Sequence, residues 1–412
     1  MAEGPRVRFD RFGIEIEEGL LWLDARKPKP FGVITHAHGD HVGRHETVLC
    51  TPETAALVRR RNGPGSRFIE KRYGEETVVG DLTVTLLSAG HILGSAMVLV
   101  QSPRGSLLYT GDFRMEGGIT CPPADPRRAD VLITEATYGR PDLRHPPQAE
   151  SHMRLLEEAR GAFGRKQVPV FLAYALGKAQ EVMAVFCKAG FSVAAHGSVW
   201  NLCGVYRAAG IKFPRSRKLS DRHRRDSVLV LPPRFRADPI VRDHAPLWVV
   251  AVTGWGARAA TEGIHAVVQL SDHADHEGIL ELVEAVGPSR VHVVHGYAQE
   301  LAGTLRDRGY DAHAVAGHSG PPETGAPGQF GQPLHGGVRP RRQAAGQPRI
   351  NGQIVAPEVH VLSETGEHLG VFTTAEAIKL AADRGLDLVE VTADASPPVC
   401  RILDYERHKT RG

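Results

Sequence analysis

Cysteine is scarce: five residues in 412, at positions 50, 121, 187, 203 and 400, with no paired spacing among them. That excludes a disulfide framework and a cysteine-ligated zinc site, and it fits thiols kept reduced in a cytoplasm. Long apolar runs are missing too. The stretch from Met1 to Arg6 has no apolar signal core, and no segment approaches bilayer-spanning length, so a cytoplasmic protein with no membrane partner is expected. Nor is there an excess of charge. A net +3 is too small to argue for nucleic-acid binding, so the distribution of charge has to carry that question. With 42% hydrophobic content and more residues than one core usually serves, several domains are expected.

Histidine, by contrast, is plentiful, and its placement is the main signal. The run Thr35-His36-Ala37-His38-Gly39-Asp40-His41 packs three imidazoles and a carboxylate among small residues. The apolar Phe31-Gly32-Val33-Ile34 before it reads as a buried strand, a rigid platform from which a tight turn can aim several ligands into one pocket. Imidazole and carboxylate suit zinc, and two neighbouring zinc ions can share a bridging ligand. Further ligands should then end other strands. His91 follows the alternating Leu82 to Leu87, and Asp112 follows Ser106-Leu107-Leu108 with a carboxylate suited to bridging. Asp24 follows Leu21-Trp22-Leu23, close enough in sequence to orient a ligating histidine from behind. Taken singly, each is more often an ordinary loop residue; the pattern rests on all of them ending strands.

Three more motifs complete it: Glu135 in Leu132-Ile133-Thr134-Glu135-Ala136-Thr137-Tyr138, His273 in Ser271-Asp272-His273-Ala274-Asp275, and His295 in Val291-His292-Val293-Val294-His295-Gly296. Over residues 6 to 315 the chain resembles the metallo-β-lactamase superfamily, and within it the β-CASP nucleases. The resemblance implies an α/β chain: an αββα sandwich from residues 1–150 and 256–315, with a β-CASP cap inserted at 151–255. It implies two zinc ions, one on His36, His38 and His91, the other on Asp40, His41 and His295, with Asp112 between them. His273 would be the general acid and Glu135 its orienting partner, Asp40 being counted with them among the catalytic groups. The chemistry agrees, since phosphodiester hydrolysis needs a hydroxide, charge neutralisation and a proton for the leaving oxygen. His292 reads as a strand residue on the opposite face and is left out of the site.

Lys212, Arg215, Arg217, Lys218, Arg222, Arg224 and Arg225 gather against one acid, Asp221, within the cap region. A solvated loop explains them about as well as a phosphate-binding patch. Lys178 opens a helix after the buried Phe171-Leu172-Ala173, where free backbone N–H groups and its ammonium would suit an anion, although ordinary strand–helix packing explains it nearly as well. The segments His196-Gly197-Ser198 and Thr253-Gly254-Trp255 resemble the bacterial exonucleases encoded beside ATP-dependent DNA ligases.

From 316 to 348 glycine and proline dominate without an apolar period, which reads as a linker. Beyond it, Val359 to Leu362 and His368 to Phe372 read as a hairpin about a turn at 364–367. A helix opens at Thr374 and ends at Gly385, and Leu388 to Val391 forms a third strand. Residues 349–412 resemble the N-terminal domain of translation initiation factor three, a small α+β (β-grasp-like) fold, with departures at Glu406, His408 and Thr410. That resemblance implies the small ribosomal subunit as a partner. The expected substrate is nucleic acid, either RNA processed near the ribosome or single-stranded DNA. A ribosome-binding protein without activity is the competing class.

Overall fold

The computed structural model describes residues 4–10, 12–63, 65–220, 226–235, 246–259, 263–316, 350–351, 354, 356, 358–363, 368–382, 386–392 and 398–403. Arg222, Arg224 and Arg225, the expected linker from 317 to 348, the turn at 364–367, Gly385 and the departures at 406, 408 and 410 lie outside the described residues. The chain divides into two compact units, 1–332 and 333–412.

In the first unit two sheets face one another. One runs in chain order through β1 (Val7–Asp10), β2 (Gly13–Ile16), β3 (Leu21–Leu23), β4 (Phe31–Val33), β5 (Thr47–Cys50) and β6 (Arg67–Glu70). The other contains β7 (Glu76–Val79), β8 (Leu82–Ser88), β9 (Ala96–Ser102), β10 (Gly105–Tyr109) and β11 (Val131–Glu135), then two strands that return late in the chain. Ile14, Leu21, Val33 and Leu49 from the first sheet meet Val84, Val98, Leu107 and Ile133 from the second in one buried core. Helix α1 (Pro52–Asn62) covers the outside of the first sheet, with Ala55 against Ile34 and Val48. It starts where Thr51 accepts the Thr54 N–H and Pro52 takes the first turn, and it stops at Gly63 with φ 75°.

The chain then leaves through α2 (Gln148–Gly164) into a separate parallel sheet: β12 (Val168–Leu172), β13 (Ser192–Ala195), β14 (Ser216–Lys218), β15 (Ser227–Leu231), β16 (Leu247–Thr253) and β17 (Ala266–Gln269), in the order β14-β13-β15-β12-β16-β17. Its central strands are buried throughout, as the continuous apolar runs Val168–Leu172 and Ser227–Leu231 require in a parallel sheet. Helices α3 (Lys178–Lys188) and α4 (Gly197–Ala208) join α2 on one face. That core is continuous with Leu57 of α1 and with Ala37, Ile92 and Leu93 in the loops after β4 and β8, so the parallel sheet's helices and the two facing sheets share apolar packing. Strand β17 pairs with β16, so the cap sheet runs to Gln269. The expected return at residue 256 comes too early, because β17 is too short and too weakly patterned to stand out as a sixth cap strand.

Helix α5 (His276–Val286), β18 (Arg290–Val294), α6 (Ala298–Asp307) and β19 (Asp311–Ala314) complete the second sheet, whose order is β19-β18-β11-β10-β9-β8-β7. Ile279, Leu282, Leu301 and Leu305 cover its outer face against Leu132 and Val291. The layers are thus helix, sheet, sheet, helix. No helix among the described residues is long and apolar enough to cross a membrane.

In the second unit β20 (Glu358–Leu362), β21 (His368–Thr373), β22 (Asp387–Thr392) and β23 (Val399–Leu403) form a sheet in the order β21-β20-β23-β22, packed by α7 (Thr374–Ala382). The expected hairpin is present as the antiparallel pair of β20 and β21. Val359, Val361, Leu388, Cys400 and Ile402 meet Ala377 and Ala381.

Candidate metal centre

Every expected ligand lies at or just beyond a strand end. His36, His38 and His41 follow β4, His91 follows β8, Asp112 follows β10 and His295 follows β18. Two residues there sit in left-handed backbone, Asp24 at φ 45° and His295 at φ 60°, a conformation that side-chain-bearing residues adopt at a cost. Gly296 follows His295 at φ 50°, and a Cβ on it would lie 2.1 Å from the Ala136 carbonyl oxygen.

The three rings of one expected zinc set converge. His38 Nδ1 is 3.1 Å from His36 Nε2 and 3.1 Å from His91 Nε2, and Asp112 Oδ2 is 3.4 Å from His36 Nε2. One ligand atom from each of these four residues lies within 4.8 Å of the others. Zinc–nitrogen bonds of about 2.0–2.1 Å at tetrahedral angles set nitrogens ~3.3 Å apart, so the spacing is that of rings sharing a cation.

The far side of each ring supports the same conclusion. His38 Nε2 donates to the Leu176 carbonyl (3.2 Å), and His91 Nδ1 donates to the Asp272 carbonyl (2.7 Å). Thr35 Oγ1 donates to Asp24 Oδ2 (2.7 Å), which leaves it to accept from His36 Nδ1 (3.0 Å). With the outer nitrogens holding the protons, the inner lone pairs are free for metal. Burial disfavours the charged ring at all three, lowering the pKa of His36 and His38 and bringing His91 down to about 3. The residues fit zinc.

The second expected set is more open. His41 Nε2 lies 3.4 Å from Asp112 Oδ1 and 3.8 Å from Asp40 Oδ2, and the Asp40 side chain is 47% exposed. The rings of His41 and His295 are 6.2 Å apart. Among the described residues Asp40, His41 and His295 do not join the tight cluster. Asp24 stands behind His41, accepting from His41 Nδ1 (2.8 Å), Tyr109 Oη (3.0 Å) and the Thr35 N–H (2.8 Å). Burial works against a charged His41, yet Asp112 and Asp24 prevail and lift its pKa to about 10. A cation at that position would replace this proton. Asp112 is buried, which disfavours its charge, but His41, His273 and His36 hold its carboxyl well below the usual range.

His273 stands over the cluster, with Nε2 3.9 Å from Asp112 Oδ2 and Nδ1 bonded to Glu135. Glu135 is itself fixed, accepting from the Phe113 N–H (3.0 Å) and from Thr137 Oγ1. Burial opposes protonation of His273, but Glu135 and Asp112 raise its pKa to about 9. Tyr138 lies behind it, packed on Trp255 (4.8 Å) and His145 (4.5 Å). Residue 254 must be glycine there, because a Cβ would sit 2.2 Å from Tyr138 Oη.

Lys178 does not face an outside anion. It is buried, and its ammonium lies 2.9 Å from Asp272 Oδ1. Neither Asp272 nor the pair Arg114–Glu181 (3.1 Å) stands out in the sequence as part of the site; Asp272 adjoins His273 in its motif, and that is the one signal available. Lys212, Arg215, Arg217 and Lys218 lie exposed at and beside β14, the edge of the cap sheet, where Arg217 also bonds Ser227 Oγ (2.6 Å). A cleft of about 500 Å³ opens beside His273, lined by Glu116, Asp275, Glu277, Glu281 and Glu284 together with Arg114 and Arg308.

The class these groups define is that of metal-dependent hydrolases. Residues 258–315 match the family described as the Zn-dependent metallo-hydrolase RNA specificity domain, and residues 350–411 match the N-terminal domain of translation initiation factor IF-3. More particularly, the chain is 33% identical over 393 residues to a protein named "Probable DNA ligase" from Opitutus terrae, covering 94% of this chain and 38% of that one. It is 49% identical over 71 residues to translation initiation factor IF-3 of Sorangium cellulosum, covering 17% of this chain and 30% of that protein. The same factor of Pseudomonas aeruginosa is 48% identical over 71 residues, covering 17% of this chain and 39% of its own length. The chain thus spans well under half the length of these relatives.

Proposed function

We propose that the chain is a zinc-dependent nuclease of the metallo-β-lactamase fold and β-CASP type, hydrolysing nucleic-acid phosphodiesters. The observation that carries this is the convergence of His36, His38, His91 and Asp112 beneath the His273–Glu135 pair. Two zinc ions, one on His36, His38 and His91, the other on Asp40, His41 and His295, with Asp112 between, would supply an activated water and offset charge on the phosphoryl oxygens. His273 presents a proton on Nε2 to the departing oxygen, while Glu135 fixes the ring and keeps it protonated. Asp24 holds His41 in the tautomer that leaves Nε2 for metal. The exposed basic edge at Lys212, Arg215, Arg217 and Lys218 supplies phosphate contacts.

The relatives favour two substrates. Similarity to the protein named as a ligase spans nearly the whole chain and supports DNA, as an exonuclease on strand ends. The RNA specificity domain and the segment similar to an initiation factor support RNA handled near the small ribosomal subunit. Hydrolysis at phosphorus does not need the sugar 2′-hydroxyl, so the centre itself accepts either; sugar contacts decide. Cleavage of matched RNA and single-stranded DNA, by the full chain and by a chain ending at 316, separates the readings. DNA cleavage alone, with no co-sedimentation on ribosomes, sinks the RNA reading, and RNA cleavage that weakens without the tail sinks the other.

A further inference from the structure

Helix α3 and the turn before it reach the metal centre at three places. The Leu176 carbonyl accepts from His38 Nε2 at 3.2 Å. Lys178 Nζ lies 2.9 Å from Asp272 Oδ1, both side chains about 6% exposed, and the same Asp272 gives its backbone carbonyl to His91 Nδ1 at 2.7 Å. Glu181 holds Arg114 at 3.1 Å, and Arg114 donates to the Ser271 carbonyl at 2.6 Å, one residue before Asp272. The approach depends on Gly177, whose φ is 88°; a Cβ there would stand 2.3 Å from Ile92 Cγ2, beside His91.

A buried ion pair is a poor way to gain stability, because desolvating both charges offsets most of their attraction. What the pair of Lys178 and Asp272 supplies is position. It fixes the loop 271–273 along its length, so that one carbonyl meets His91 while the next side chain, His273, stands over Asp112. We propose that Lys178 is a positioning residue of the metal centre, setting through Asp272 the orientation of His91 and so making the cap part of the zinc site. The inference rests on the reading that His36, His38 and His91 hold zinc. By linkage, metal uptake and closure of α3 onto the 271–273 loop then favour each other.

The test uses the full chain and zinc affinity measured by competition with a chromophoric chelator. Lys178→Met should weaken zinc binding by about 10- to 100-fold, the usual cost of losing a group that orients a ligand. Lys178→Arg should restore most of it. A purely structural role would lower the melting temperature without changing the affinity of the molecules that remain folded, as followed by circular dichroism. If Lys178→Met does not fold, the pair Lys178→Met with Asp272→Asn removes the unpaired buried carboxylate and should show the same weakening. Wild-type affinity in whichever of these variants folds overturns the proposal while leaving the functional reading intact. A wild-type chain that binds no zinc overturns both.

Discussion

The ring of His273 and the carboxylate of Glu135 meet through a forked contact, with Nδ1 2.9 Å from Oε1 and 3.0 Å from Oε2. That leaves Nε2 as the only ring atom able to face a reacting group. A proton held there belongs to a ring whose pKa stands near 9, so the acid form is present throughout the neutral range and is lost as pH rises through that value. His273→Ala should therefore keep its zinc and lose roughly 10²-fold or more in rate. Glu135→Gln removes the main group raising the pKa, so the alkaline limb of kcat/KM against pH should move to lower pH. A limb that stays in place removes Glu135 from this role.

Asp24 satisfies three protein donors besides His41. Asp24→Ala leaves buried Thr35 and Tyr109 groups without their acceptor, at about 1–3 kcal/mol for such a loss. It also frees the His41 ring, so zinc retention in a chelator titration should fall about 10- to 100-fold. Full zinc retention would show that the turn alone orients His41.

The basic edge predicts a salt effect. Replacing Lys212, Arg215 and Lys218 together with Gln should flatten the slope of log Kd against log salt by about 0.7 for each phosphate of a single strand that is no longer neutralised. Cleavage at saturating substrate should not change. An unaltered slope means that these residues are only a solvated face.

His292 lies outside the site, as the alternation of β18 requires, with its ring 5.1 Å from Phe9 and 6.3 Å from His313. Burial, with His313 and Arg290 nearby, brings its pKa down to about 4. The unfolded chain then takes up this proton near pH 6.5 while the folded one resists it, so stability falls as pH drops from about 6.5 towards 4. In His292→Phe the fall in denaturant midpoint over that window should be smaller than in the wild type. Equal falls would place the proton elsewhere.

The cluster of His36, His38, His91 and Asp112 is legible in the sequence because each member follows an apolar strand, and small residues separate the histidines of the first motif, a pattern local enough to read in a short window. Asp24 is legible for the same reason. The role of Lys178 is not. A lysine opening a helix looks the same whether it faces water or a carboxylate far along the chain at Asp272, and only the tertiary approach permitted by Gly177 decides. The carbonyls of Leu176 and Asp272 leave no trace in sequence at all, since every residue has one. The cap's edge at β17 is hidden because its four residues are mostly only partly buried and lack a strong period.

Zinc content and phosphodiester cleavage of the purified chain, compared with those of Asp112→Ala and His38→Ala, test the central claim most directly. The account predicts two zinc ions per wild-type chain, with metal and cleavage falling together in both variants. Variants that kept full metal content and full cleavage would contradict it.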